Sequence, residues 1–346
     1  MRSPILFMVF NRPEQTTASF ARIRAARPPR LYVAADGPRK GKQGEDALCE
    51  EVRRIATDVD WPCEVKTLFR KRNLGCRMAC QSAITWFFQN EPEGLIIEDD
   101  IVAHPDFFTF CDATLERYRD NPKISVICGF NYQMGRIHGD ASYYFSNNTH
   151  IWGWASWARN WKDYDPEPAG FMQFLKDELP KRVGTPRLSA HYMALLREPI
   201  RKATWDFELM YQTLKHNKLS IIPNYPLVEN IGFTTGINYK APTIWSHQKA
   251  RGIPGEIVHP KKIEACLDAD MFDIEAFHFG FSAMCREAFR RIEAGEASSN
   301  HELIRLARAF YGEQAALDEI EALTRAIESR ALKNQSSDIH FSRGIK

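Results

Sequence analysis

Three consecutive acids, Glu98-Asp99-Asp100, end the short apolar run Gly94–Ile97. Adjacent carboxylates repel one another unless something positive sits among them. A divalent cation relieves that repulsion, and hard oxygen donors suit Mn²⁺ or Mg²⁺. At the end of a strand alternate side chains point to opposite sides, so Glu98 and Asp100 are expected on one side and Asp99 on the other. A cation held there by one or two carboxylates, its shell completed by diphosphate oxygens, suits such a place. The plain alternative is a solvated acidic turn. Two more polar clusters, Asn11-Arg12 and Asp36-Gly37, also follow apolar runs.

The elements that must position these clusters alternate between strand and helix. Pro4–Phe10 reads as a strand, and Glu14–Ala26 as a helix with Pro13 in its first turn. Arg30–Ala35 is a second strand, closed by the turn signal Asp36-Gly37-Pro38. A helix over Ala47–Thr57 carries Leu48, Val52 and Ile55 at helical spacing. Glu64–Phe69, Gly94–Ile97 and Ile124–Gly129 read as strands. Cys76–Phe88 and a stretch opened by Pro105 and Asp106, with Phe107, Cys111, Leu115 and Tyr118 on one face, read as helices. This alternation implies βαβ units and an α/β fold, a mostly parallel sheet flanked by helices. Such sheets bind ligands beyond the carboxyl ends of their strands, where all three polar clusters fall.

From Tyr143 to about Gly236 the pattern becomes irregular and aromatic. Beyond about Asp270 it turns helical again, with Leu303, Leu306 and Phe310, then Leu317, Ile320, Leu323 and Ile327, at helical spacing. This C-terminal helical extension reads as an αα-hairpin for packing or homo-oligomer formation, and residues 333–346 as a frayed polar tail. The 46 Lys and Arg against 44 Asp and Glu give a net charge of +2, without the basic footprint of a dedicated nucleic-acid binder. No apolar run approaches the roughly 20 residues that span a bilayer. Asn11-Arg12-Pro13 stands where a secretory cleavage site would. Eight cysteines without a CxxC pair suit a reduced, cytoplasmic protein. The ten histidines show no zinc spacing, and no GxGxxG, Walker or GxSxG motif occurs.

The stretch LIIEDDIVAHPDFF at Leu95–Phe108 resembles the metal-binding segment of GT-A fold glycosyltransferases. The likeness is nearest the N-acetylglucosaminyltransferase I type and bacterial family 2-like sugar transferases. ILFMVFNRPEQT, VAADG, NLGCRMACQSAITWFF, the EDD triplet, PDFF, a WGW element and TWDFE follow in the family's order over about residues 4–236. The resemblance implies a GT-A, Rossmann-like catalytic domain over residues 1–265. Residues 1–130 would bind nucleotide and 131–265 the acceptor, followed by a helical element at 266–332. It implies that Asp100 contacts the metal, Asp99 the nucleotide ribose, and that Glu98 lies near the donor sugar. Arg12, with Phe10 and Asn11 beside it, and Asp36 match uridine-binding positions. Arg77 matches an arginine near the donor diphosphate. Surface salt bridges for Arg12 and Arg77, and a plain Asp-Gly turn for Asp36, are the alternatives.

An inverting transfer needs a carboxylate that takes a proton from the acceptor hydroxyl, across the site from the leaving diphosphate. Asp206, after Trp205, matches the family's catalytic base, with Glu208 as fallback because Phe207 stands where relatives often carry a second Asp. Helix capping by Asp206 is the alternative. Trp152, Trp154, Trp157 and Trp161 offer a saccharide-stacking wall, yet Trp154, Trp157 and Trp161 also fall at the spacing of a buried helix face. Of these, Trp154 is expected to line the site. Relatives follow a segment like Asn230–Phe233 with a histidine; the next here is His247, which is left out of the metal set.

The expected activity is metal-dependent transfer from a UDP-sugar to a saccharide or lipid-linked acceptor, in surface polysaccharide synthesis. A nucleotidyltransferase that makes the activated sugar, or a non-catalytic carbohydrate-binding protein, are the alternatives. The basic cluster Arg70-Lys71-Arg72 reads as solvated charge, with peripheral contact at the inner membrane face as the other reading.

Overall fold

The computed structural model describes residues 1–133, 135–183, 186–196, 204–233 and 248–279. The expected C-terminal hairpin, the polar tail and His247 lie outside the described residues. Contacts divide the chain into a unit of Met1–His278 and one of Phe279–Lys346.

The first third follows the pattern read from the sequence. It runs β1 (Ile5–Val9), α1 (Pro13–Ala26), β2 (Arg30–Ala35), α2 (Glu45–Ala56), β3 (Glu64–Phe69), α3 (Cys76–Asn90) and β4 (Glu93–Glu98). There follow β5 (Ile101–Ala103), α4 (Pro105–Arg117), β6 (Ile124–Cys128), β7 (Tyr143–Ser146), β8 (Trp154–Trp157) and α5 (Ala158–Trp161). Helices α6 (Phe171–Asp177), α7 (Leu179–Val183), α8 (Pro186–Leu195) and α9 (Asp206–Lys215) precede β9 (Leu219–Pro223), β10 (Val228–Asn230) and α10 (Leu267–Phe279).

Eight strands form one sheet in the order β3-β2-β1-β4-β8-β6-β9-β7. β3, β2, β1 and β4 pair in parallel, as do β6 and β9, whereas β8 runs against both β4 and β6, and β7 against β9. Six of the eight strands therefore share one direction, and β1 lies beside β4 at the point where the strand order reverses. Burial on both faces explains the unbroken apolar sequence of β1. Leu6 and Met8 join Ile84 and Phe87 of α3 in one core layer. Phe7 points the other way, with its ring centroid 6.1 Å from that of Phe20 on α1. Helix α2 buries Cys49, Val52 and Ala56, while Leu48, expected on that face, is exposed. One residue further on, Cys49 takes the buried position instead.

The aromatic stretch that looked irregular holds β7 and β8. Trp154 and Trp157 bound a strand rather than a helix, and both are buried. Helices α6–α9 form a helical layer of their own, packed through Phe171, Leu175, Leu179, Tyr192, Tyr211 and Leu214. A second, two-stranded antiparallel sheet pairs β5 with β10, with Ile101 opposite Asn230. No helix among the described residues is long and apolar enough to cross a membrane.

Candidate active site

A cavity of about 520 Å³ opens beyond the carboxyl ends of β1, β2, β3 and β4. Its walls include Phe10, Asn11 and Arg12 after β1, Asp36 and Arg39 after β2, Arg70 after β3, and Glu98 and Asp100 at the end of β4. Ala34, Ala35, Leu68, Ala79 and Ala83 give it an apolar floor. Its size and its few convergent polar groups suit a small-molecule ligand.

Arg12 organises the acidic triplet. Its guanidinium grips the Asp99 carboxylate through Nε and Nη2, and its Nη1 donates to Asp100 Oδ2 at 3.0 Å. Burial alone would loosen the Arg12 proton; the charges of Asp99 and Asp100 more than reverse this, so Arg12 remains a cation. Burial pushes the Asp99 carboxyl up to about 6 against the pull of Arg12. Burial also drives Glu98 well above the usual carboxylate range, reinforced by the negative charge of Asp100. The alternation expected at this strand end holds: Glu98 and Asp100 face the cavity, whereas Asp99 is buried behind them on Arg12.

Asp100 is set by the small sheet. Ile231 N–H donates to the Asp100 carbonyl at 2.8 Å as β10 ends against the start of β5. Gly232 follows, so close that a Cβ there would stand 2.1 Å from Asp100 Oδ2 and 3.0 Å from Arg12 Nη1. Only a residue without a side chain lets this backbone close over the pair. Among the described residues no group of three or more His, Cys, Asp or Glu is poised to hold a metal by itself. Glu98 and Asp100 nevertheless present hard oxygens to the cavity. They suit an ion that takes the rest of its shell from ligand oxygens and water.

The other expected site residues divide. Asn11 lines the cavity and donates from Nδ2 to Glu45 Oε1 at 2.9 Å. Arg39 forms an ion pair with the same carboxylate, with its guanidinium 5.5 Å from the Phe10 ring centroid. Asp36 lies at the rim but holds the β3–α3 connection. It accepts from Leu74 N–H at 3.0 Å, Gly75 N–H at 3.2 Å and Asn73 Nδ2 at 2.8 Å. Arg77 does not line the cavity: it donates to Glu208 Oε1 at 3.2 Å, Glu167 Oε1 at 3.1 Å and the Pro166 carbonyl at 2.6 Å. Glu208 itself is buried in α9.

Asp206 is the first residue of α9, after Trp205 at the N-cap position. Burial raises its carboxyl, and the backbone N–H groups of Asp206 and Phe207 hold it partly down. It does not line the cavity, although its charge acts on Cys76, a wall residue. Trp154 is placed elsewhere than expected: it is 1% exposed and packs in the core, its ring centroid 5.9 Å from that of Trp205. The cavity wall takes Trp152 instead, packed against Phe130 and Phe233. Gly153, at φ +57°, breaks the strand alternation that would put both indoles on one face.

Sequence reasoning missed Arg39, Asn73 and the pocket position of Arg70. Arg70 lines the cavity and donates from Nη2 to Ser82 Oγ at 2.8 Å, whereas Lys71 and Arg72 beside it are exposed. Its position directly after β3, like that of Arg12 after β1, was the available signal.

No protein-family model and no curated protein matches the chain. Among solved structures, HddC from Yersinia pseudotuberculosis is 11% identical with a TM-score of 0.28, over 52% of this chain and 86% of its own. Mouse xyloside xylosyltransferase 1 is 9% identical with a TM-score of 0.31, over 64% and 84%. The galactosyltransferase LgtC, solved with donor and acceptor sugar analogues, is 12% identical with a TM-score of 0.27, over 47% and 60%. Fold and site stand on this chain's own strand order and side chains.

Proposed function

We propose that this chain is a glycosyltransferase of the GT-A kind that takes its sugar from a nucleotide diphosphate donor, with a UDP-sugar favoured. The observation that carries this reading is the cavity at the β1/β4 reversal, where guanidiniums and carboxylates converge over an apolar floor. Arg12, Arg39 and Arg70 supply planar, permanently charged donors matched to phosphate oxygens. The alanine-rich lining leaves room for a flat base, and Trp152 gives the wall an aromatic face. Asp100, backed by Glu98, would hold Mn²⁺ or Mg²⁺. Such an ion, when bound, offsets the charge that develops on the leaving diphosphate.

Asp206 is the proposed base of an inverting transfer. Its raised carboxyl, at the start of α9 and near enough to Cys76 for its charge to act there, suits proton removal from an acceptor hydroxyl. The acceptor is proposed to be a saccharide or a lipid-linked saccharide, and the setting surface polysaccharide synthesis at the cytoplasmic side.

Calorimetric titration with UDP and Mn²⁺, followed by UDP release from a panel of UDP-sugars, tests the reading. Saturable UDP binding with turnover of one donor is expected. Pyrophosphate release from UTP and a sugar phosphate, without UDP release from any donor, would overturn it in favour of nucleotidyl transfer. Asp206→Asn is expected to retain donor binding and lose about 10²–10⁴-fold in turnover. Unchanged turnover removes Asp206 from the reaction.

A further inference from the structure

We infer that Arg12 is an interlock on the acidic triplet: it occupies Asp100 until a diphosphate enters the cavity and gives its guanidinium another anion to bind. The inference rests on the reading of the cavity as a site for a nucleotide diphosphate with a divalent ion, and adds how the binding of one is coupled to the other.

The two edges of the guanidinium have different work. Nε and Nη2 are committed to the buried Asp99 carboxylate, whereas Nη1 alone reaches Asp100, at 3.0 Å. Asp99 fixes the side chain, and a single hydrogen bond has to be handed over for Asp100 to become free. The root of the side chain is fixed as well, because the Arg12 carbonyl accepts from Thr16 N–H at 2.9 Å as α1 begins at Pro13. Gly232 backbone packs over the Arg12–Asp100 pair, so the carboxylate is approached from the cavity and not from behind.

An ion arriving alone meets a carboxylate already paired with a permanent cation. It must displace that cation or sit beside it at like charge, with no new acceptor for Nη1. The other two cavity guanidiniums are also engaged within the protein, Arg39 on Glu45 and Arg70 on Ser82. A diphosphate changes the balance by adding negative charge beside all three. Nη1 would then turn to a phosphate oxygen, which would leave Asp100 free to hold the ion together with ligand oxygens. The two ligands are thereby coupled, and each raises the affinity for the other by the same factor.

The test measures Mn²⁺ binding to the full chain by the loss of the free-ion electron paramagnetic resonance signal, with and without UDP. Wild type is expected to bind Mn²⁺ weakly alone and tightly with UDP. Arg12→Gln is expected to bind Mn²⁺ alone on the order of tenfold more tightly than wild type, with weaker coupling to UDP. Adding Asp100→Asn to Arg12→Gln should abolish that gain. Arg12→Lys keeps the charge but not the fork that reaches both carboxylates, so its gain should be well below that of Arg12→Gln. Equal Mn²⁺ affinity of wild type and Arg12→Gln without UDP overturns the interlock, as does a tenfold gain in Arg12→Lys. If no chain binds UDP under any condition, the donor reading fails, while the Mn²⁺ gain in Arg12→Gln is still read separately.

Discussion

Asp36 shows how one carboxylate governs both a turn and a cavity rim. It receives hydrogen bonds from the backbone of Gly37, Leu74 and Gly75 and from the Asn73 amide. Asp36→Asn replaces an acceptor oxygen with a donor facing these N–H groups. A loss of about 1–3 kcal/mol in urea unfolding is expected, together with weaker UDP binding as the β3–α3 connection loosens. Gly232→Ala belongs to the same scale, since its Cβ would overlap Asp100 Oδ2. Overpacking of this kind costs about 1–3 kcal/mol, read as a lowered Tm with impaired UDP binding. A variant with wild-type Tm and wild-type UDP affinity would show that the 230–232 backbone moves aside freely.

At the scale of elements, α10 is joined to the sheet through buried polar side chains. Asp270 accepts from the Ser146 hydroxyl and from Asn147 Nδ2 at 2.7 Å; Asp273 pairs with His150 at 2.6 Å and accepts from Gln133 Nε2 at 2.5 Å. Burial pushes the Asp270 carboxyl up to about 7. The folded chain then holds a proton that the unfolded chain releases near pH 4. The contribution of Asp270 to stability is therefore full below about pH 4 and is lost as pH rises through about 7. Urea midpoints from pH 4 to 8 should fall less steeply for Asp270→Asn than for wild type; parallel curves would remove Asp270 as the cause. None of this was legible in the sequence, because Asp270 and Asn147 are far apart along the chain and carry no spacing signal. The first four strands were legible, since burial on both faces writes a continuous apolar run. So were the cavity positions of Arg12, Glu98 and Asp100, because each stands within three residues of the end of such a run. The core position of Trp154 was hidden by the left-handed backbone of Gly153, which a residue pattern does not report.

For the whole molecule, the polar ties of α10 set where the first unit can be cut. A chain ended after residue 279 keeps Asp270 and Asp273, whereas one ended after residue 265 strands Ser146, Asn147, Asn148 and His150 without them. The longer form is expected to unfold in one cooperative transition and the shorter to lose that cooperativity, as read by circular dichroism on heating. Equal melting curves for both would show that α10 is dispensable. The reversed direction of β8 has a different kind of consequence. Because β8 runs against β4, the segment leading into it arrives at the cavity mouth and delivers Ile151 and Trp152 there. One rim of the pocket thus hangs on a connection outside the βαβ crossovers. Substitutions at Ile151 and Trp152 can therefore reshape that rim while the half anchored in four parallel strands keeps its geometry.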